Sequence, residues 1–179
     1  LFRSSPDSGP GLTAEGIALI KHANVLNMLI DVSHMNEKAF WDTARHSSSP
    51  LIATHSNAHT LCPQPRNLTD RQLLAIRDSG GVAGVNFGNA FLRADGKRDS
   101  DTPLSTIVRH IDYLINIMGD DHVALGSDFD GITLPDDLHD VSGLPRLISA
   151  LRDSGYDQFV LNKLLWGNWQ KVLQNVWQQ

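Results

Sequence analysis

The chain has 179 residues and only one cysteine, Cys62, so no disulfide can form within it. That thiol is either a free group or ligand, or a small residue in a loop, and the loop reading is the stronger. No apolar run reaches the ~20 residues of a membrane-spanning helix. No Lys/Arg cluster offsets the net charge of −5, which argues against a nucleic-acid surface. A Gly-rich phosphate loop, a nucleophile elbow and a His-Glu-x-x-His motif are all missing. Their absence counts against nucleotide binding, serine-hydrolase chemistry and zincin proteolysis. No signal peptide is visible, but the chain opens on Leu1 rather than Met, so that absence carries no weight. Bacterial cytoplasm and periplasm both fit.

A hydrophobic content of 41% and a charged content of 20% describe a soluble globular domain with one good core. Residues 1–10 are Ser-, Pro- and Gly-containing and read as a linker-like start to a single domain spanning 1–179. Thr13 is placed to cap a helix running toward Leu26. A strand is expected over about 28–33, and Asn36 caps a second helix to about Ser47, with Phe40 and Trp41 partly inward. Pro50 opens a second strand. The Pro-containing stretch 57–67 is a loop, and Thr69-Asp70-Arg71-Gln72 has capping-box spacing for a helix to Asp78.

Gly80-Gly81 ends that helix, and Val82 to Phe87 reads as a third strand. Residues 88–101 read as a long surface loop. Thr102-Pro103 is an N-cap followed by Pro at the first helical position. Leu104, Ile107, Val108, Ile111, Leu114, Ile115 and Met118 mark one apolar helix face, stopped by Gly119. A fourth strand spans about 122–127, followed by helices near 145–153, 157–166 and 168–177. In the last of these, Trp169, Val172, Leu173, Val176 and Trp177 share a face. The apolar runs lack period-2 alternation, as in parallel strands buried on both faces. An open doubly wound sheet and part of a (β/α)8 barrel both fit; a whole barrel typically takes about 250 residues, so four strands make half of one.

Each strand carries a polar side chain at or near its C-terminal end: His34, His55, Asn86 and Asp128. In an α/β protein that rim holds the chemistry. Neutral imidazoles ligate zinc, and a carboxylate completes or bridges such a site. From the residues alone, a metal site and a set of structural side chains stand side by side. Asp128 suits metal binding or proton transfer, with a plain turn as a serious rival. Asp130, next to Gly131, reads as a turn residue. Arg66, behind Pro65, is suited to take a substrate carboxylate bidentately if held near a metal, but from the residues alone a surface arginine paired with Asp70 or solvent is the stronger reading. His22, His46 and His110 fall on helices, and His122 begins a strand at the far end. His59 lies near His55 with nothing to separate it from a solvated loop residue, and His139 is a weak candidate.

Together these motifs carry a resemblance. Leu29-Ile30-Asp31-Val32-Ser33-His34, Thr54-His55-Ser56-Asn57-Ala58, Pro65-Arg66-Asn67-Leu68-Thr69-Asp70, Gly80-Gly81-Val82 and Gly126-Ser127-Asp128-Phe129-Asp130-Gly131 occur in that order. Gly155-Tyr156 and Gly167-Asn168 follow. From about Gly11 to Val176 the chain resembles the membrane dipeptidase (renal dipeptidase) family, peptidase family M19. The resemblance implies a (β/α)8 TIM barrel with a binuclear zinc centre that hydrolyses dipeptides, and a homodimer. His34 and His55 match the histidines of one zinc. Asp128 matches an aspartate that contacts the other zinc side and assists proton transfer, and Arg66 matches the arginine that holds the substrate's C-terminal carboxylate.

The family pattern also includes a His-x-Asp strand end, a bridging glutamate and a substrate-contacting histidine, none of which matches a segment here. The chain thus corresponds to about four C-terminal strand–helix units plus terminal helices, with the N-terminal half of the barrel supplied by missing sequence or another chain. Taken alone, such a half is expected to aggregate, dimerise or look molten. Two other functions remain: an amide or lactam metal hydrolase on the same barrel, and a catalytically incomplete half-barrel serving as a structural or interaction module.

Overall fold

The computed structural model describes residues 9–177, so most of the linker-like start lies outside the described residues. The elements in order are α1 (Ala14–Val25), β1 (Ile30–Asp31), α2 (Glu37–His46), β2 (Leu51–Ala53), α3 (Asp70–Asp78), β3 (Val82–Val85), α4 (Asn89–Leu92), α5 (Leu104–Met118), β4 (Val123–Leu125), α6 (Leu144–Asp153), α7 (Gln158–Asn162) and α8 (Asn168–Trp177). A π-helical turn, Lys163–Gly167, joins α7 to α8. Among the described residues no helix is long and apolar enough to cross a membrane.

The four strands form one parallel sheet in the order β1-β2-β3-β4. That order follows the chain without the reversal at a switch point that a doubly wound sheet requires. It is the progression of a barrel wall. Ile30 pairs with Leu51, Ile52 with Val82, and Ala83 with Val123. Because all strands are parallel, their C-terminal ends form one rim.

Local chemistry sets the helix starts. The Thr13 hydroxyl accepts from Gly16 N–H, and the Asn36 side chain accepts from Ala39 N–H. At α3, Gln72 Oε1 accepts from both the backbone N–H and the hydroxyl of Thr69. Pro103, expected just inside α5, is instead its N-cap; the Thr102 hydroxyl donates to Asp99 C=O and so belongs to the loop.

Side chains alternate across the central strands, and both faces are covered. Leu51, Ala53, Ala83, Val85 and Val123 join the main core with Leu73, Ile76, Ile107, Ile111 and Leu114 from α3 and α5. Ile52, Val82 and Ala124 meet Val172 and Trp169 of α8 on the other face. The edge strand β1 departs from the expectation of full burial: it is two residues long, with Ile30 half-buried and Asp31 exposed, because among the described residues no strand pairs along its outer side. Leu19, Val25, Leu26 and Met28, just before it, are exposed.

Two further expectations change. Residues 88–101 begin with helix α4, whose Asn89 and Leu92 are fully buried; only the later part is a surface loop. Val172 and Val176 of α8 are buried, but Trp177 is exposed, because the helix ends beyond the sheet it covers.

Candidate metal centre

His34 and His55 follow β1 and β2 on the same rim, and the sheet register brings them together. Their Nε2 atoms lie 2.8 Å apart. Ring nitrogens at this distance share either a proton or a cation. Two nitrogens on one tetrahedral zinc sit about 3.3 Å apart, so a spread of about 0.5 Å accommodates the ion. Burial lowers the pKa of both rings, and nearby Arg66 lowers them further, against the opposing pull of Asp128 and Asp31. The neutral, lone-pair form that a metal needs is therefore favoured. Among the described residues, no group of three or more His, Cys, Asp or Glu side chains is gathered to hold a metal, so the pair alone does not close a metal site.

The backbone at this pair is unusual. Asp31 Oδ1 accepts from Ser33 N–H, and Val32 C=O accepts from Met35 N–H. These bonds close a turn with His34 third, at φ 72°. Asp128 also lies in the left-handed region, at φ 63°. A non-glycine residue there costs of order 1–3 kcal/mol, and such strain collects at functional positions.

Asp31 ties the two strand ends. Its Oδ1 also accepts from Thr54 N–H at 3.0 Å, and its Oδ2 accepts from the Thr54 hydroxyl at 2.5 Å. Partial desolvation at the strand end acts against this carboxylate, but the bonds from Thr54 and Ser33 outweigh it and hold the pKa below the usual value. His55 N–H donates to the Ser33 hydroxyl. Asp31 lies inside a motif noted in the sequence, yet its role and that of Thr54 were not legible there.

Asp128 is held by Asn86, whose Nδ2 donates to Asp128 Oδ2 at 2.9 Å. Asn86 is itself buried and fixed by Asn57, which accepts from its backbone N–H. Asp130 takes a turn conformation at φ 65°, as expected. Gly131 serves proximity rather than turn geometry: a Cβ there would meet Asp128 Oδ1 at 2.7 Å.

Arg66 does not pair with Asp70, which instead accepts from the Tyr113 hydroxyl. Its guanidinium donates to His55 C=O at 3.4 Å and lies 5.6 Å from the Phe91 ring centroid. A cavity of about 240 Å³ is lined by His34, His59, Arg66, Ser56 and Gln72 among others, so one of the two histidines and the arginine both line it. Other histidines are structural: the rings of His22, His110 and His122 bond the C=O groups of Ala18, Leu92 and Gly81. Burial pushes the Cys62 thiol up to about 11, which leaves it unreactive in the loop.

The family model for membrane dipeptidase (peptidase family M19) matches residues 2–179. A Klebsiella pneumoniae protein, described as an uncharacterized protein in the pqqA 5'region, is 82% identical over 99% of this chain and 66% of its own length. An uncharacterized dipeptidase of Schizosaccharomyces pombe is 41% identical over 79% of this chain and 34% of its own length. Among solved structures, a metallo peptidase from Rhodobacter sphaeroides liganded with a phosphinate mimic of the dipeptide L-Ala-D-Ala superposes with a TM-score of 0.95 at 50% identity. That match covers 97% of this chain and 49% of the other. The chain thus spans at most two thirds of these relatives, its four parallel strands form part of a barrel wall, and it belongs to the membrane dipeptidase family, peptidase family M19.

Proposed function

We propose that this chain contributes one half of the active site of a zinc-dependent dipeptidase. The observation that carries the reading is the convergence of two imidazole Nε2 atoms, 2.8 Å apart, with the half-buried Arg66 guanidinium against the His55 backbone. His34 and His55 would hold one of two zinc ions, and Asp128 would face the other; the remaining ligands come from the other half of the barrel. Bound zinc supplies Lewis acidity toward the scissile carbonyl and activates water near neutral pH.

The chain's own side chains do the rest. Arg66 takes the substrate's C-terminal carboxylate through a two-bonded fork, which limits the substrate to two residues because a longer peptide has no carboxylate at that point. Burial lowers the Arg66 pKa by removing water, although Asp128 and Asp31 oppose the shift, so an incoming carboxylate replaces lost solvation. Asp128, oriented by Asn86, moves a proton to the leaving amine. The Rhodobacter relative's dipeptide mimic makes L-Ala-D-Ala a fitting first substrate.

The test compares a dipeptide with its C-terminal amide in the full-length protein. Two charge-assisted hydrogen bonds are worth about 1.5–3 kcal/mol each, so Arg66→Ala should lower kcat/KM for the free acid by about 10²-fold or more, mainly through KM. The amide should be poor for the parent and no worse for the variant. Equal hydrolysis of acid and amide by the parent would instead favour an amide or lactam hydrolase.

A further inference from the structure

The metal reading uses Nε2 of His55 and leaves the other ring nitrogen unassigned. That nitrogen, Nδ1, lies 2.7 Å from the Thr54 hydroxyl oxygen. The same oxygen lies 2.5 Å from Asp31 Oδ2. A hydroxyl has one proton, and an ionised carboxylate has none to give. The Thr54 proton therefore goes to Asp31, and the Thr54 oxygen must accept from His55. This requires the proton on Nδ1 and leaves the lone pair on Nε2, the atom that faces His34.

We infer that Asp31 and Thr54 are positioning residues that fix the tautomer and aim of His55 as a metal ligand, through the chain carboxylate–hydroxyl–imidazole. Histidine ligands commonly donate their second N–H to a carboxylate or carbonyl. Here a threonine hydroxyl lies between, and the carboxylate comes from the neighbouring strand end. Asp31 is anchored for this task by the N–H groups of Ser33 and Thr54. The sheet register supplies the geometry: Asp31 pairs with Ile52, which places Thr54 just beyond, on the same rim. Asp31 thus links the turn that carries His34 to the ring orientation of His55.

The inference rests on the reading of His34 and His55 as a metal pair, and the test separates the two. In the full-length protein, Thr54→Val removes the hydroxyl with little change of shape, and Thr54→Ser restores it. Zinc affinity is measured by competition with a chelator, the metal-free melt by circular dichroism, and the His55 tautomer by NMR of the metal-free protein with labelled histidine. Thr54→Val should weaken zinc binding by about 10–100-fold with the metal-free melt nearly unchanged, and Thr54→Ser should recover most of it. His55 should carry its proton on Nδ1 in the parent and lose that preference in Thr54→Val. Asp31→Asn, a second variant, should also weaken zinc.

A His55 proton on Nε2 in the metal-free parent overturns the inference. So does parental zinc affinity in Thr54→Val, or a loss that Thr54→Ser does not repair. A parent that binds no zinc while keeping the Nδ1 proton would instead refute the metal reading and leave the hydrogen-bond chain standing.

Discussion

Replacing Gly126 with alanine perturbs the site without substituting any candidate ligand. Gly126 lies at the end of β4, against the ends of the two preceding strands. A Cβ there would fall within the contact radius of Thr54 O and sit 2.8 Å and 2.9 Å from the carbonyl carbon and oxygen of Gly84. Gly84 is packed in the same way, its own Cβ position 3.0 Å from Thr54 C and from Gly126 Cα. All of these neighbours are backbone, so no side chain can swing aside. Relief requires the Thr54 peptide to move, and Thr54 carries the hydroxyl next to His55 Nδ1. Overpacking of this kind costs about 1–3 kcal/mol. For a domain of this size that corresponds to a fall of several degrees in Tm, at about 2–4 °C per kcal/mol.

The displacement should also misplace His55 and cost about 10²-fold in turnover, with a parallel loss of zinc affinity. Gly119→Ala is the matched control. Gly119 has φ 82°, and a Cβ there meets nothing, so alanine strains the backbone by about 1–3 kcal/mol far from the rim. Melting curves, zinc titration and dipeptide turnover of the full-length variants separate the two. Both should melt lower, and only Gly126→Ala should lose zinc. Normal zinc binding and turnover in Gly126→Ala would refute the claim that this three-strand contact sets the His55 position.

His110 is fully buried between Ala58 N–H and Leu92 C=O, and burial lowers its pKa to about 4. Between pH 6.5 and 4 the unfolded chain binds a proton there that the folded chain refuses. Stability should fall as pH drops through that window by about 1.4 kcal/mol per unit, level off below it, and lose this slope in a His110→Gln variant followed by denaturant titration. His34 at φ 72° should make His34→Asn melt higher than His34→Ala by about 0.5–1 kcal/mol in the metal-free protein, since asparagine tolerates the left-handed region; equal melts would remove strain from the description. Expressed alone, residues 1–179 leave β1 and β4 as open sheet edges, with Leu19, Val25, Leu26 and Met28 exposed beside β1. Size-exclusion chromatography with light scattering should show aggregates or dimers, and a cooperative monomeric melt would contradict this.

What could be read in the sequence depended on how local its cause is. The caps at Thr13, Asn36 and Thr69 are contacts within one helical turn, and all three were legible. His34, His55 and Asp128 were legible because each closes an apolar run on the rim where parallel strands present their C-terminal ends. The short, exposed β1 was not, since burial of a strand depends on what lies beside it in space. The burial of Asn89 and Leu92 escaped for the same reason: α4 is a single turn whose composition is that of a loop. The pairing of Asp31 with Thr54 spans 23 residues and exists only in one sheet register, so no spacing rule announces it. Arg66 was visible as a charge behind proline, but its place beside His55 rather than Asp70 emerged only in three dimensions.

Zinc content and dipeptide turnover, measured together on the full-length protein and its His34→Ala and His55→Ala variants, bear most directly on the central claim. The parent should bind zinc and release free amino acids from L-Ala-D-Ala, with both lost on chelation and restored by added zinc. Each variant should lose zinc and turnover in parallel while keeping its fold. Turnover that survives in both variants, or a parent without bound metal that still hydrolyses dipeptides, would contradict the assignment of this strand-end pair.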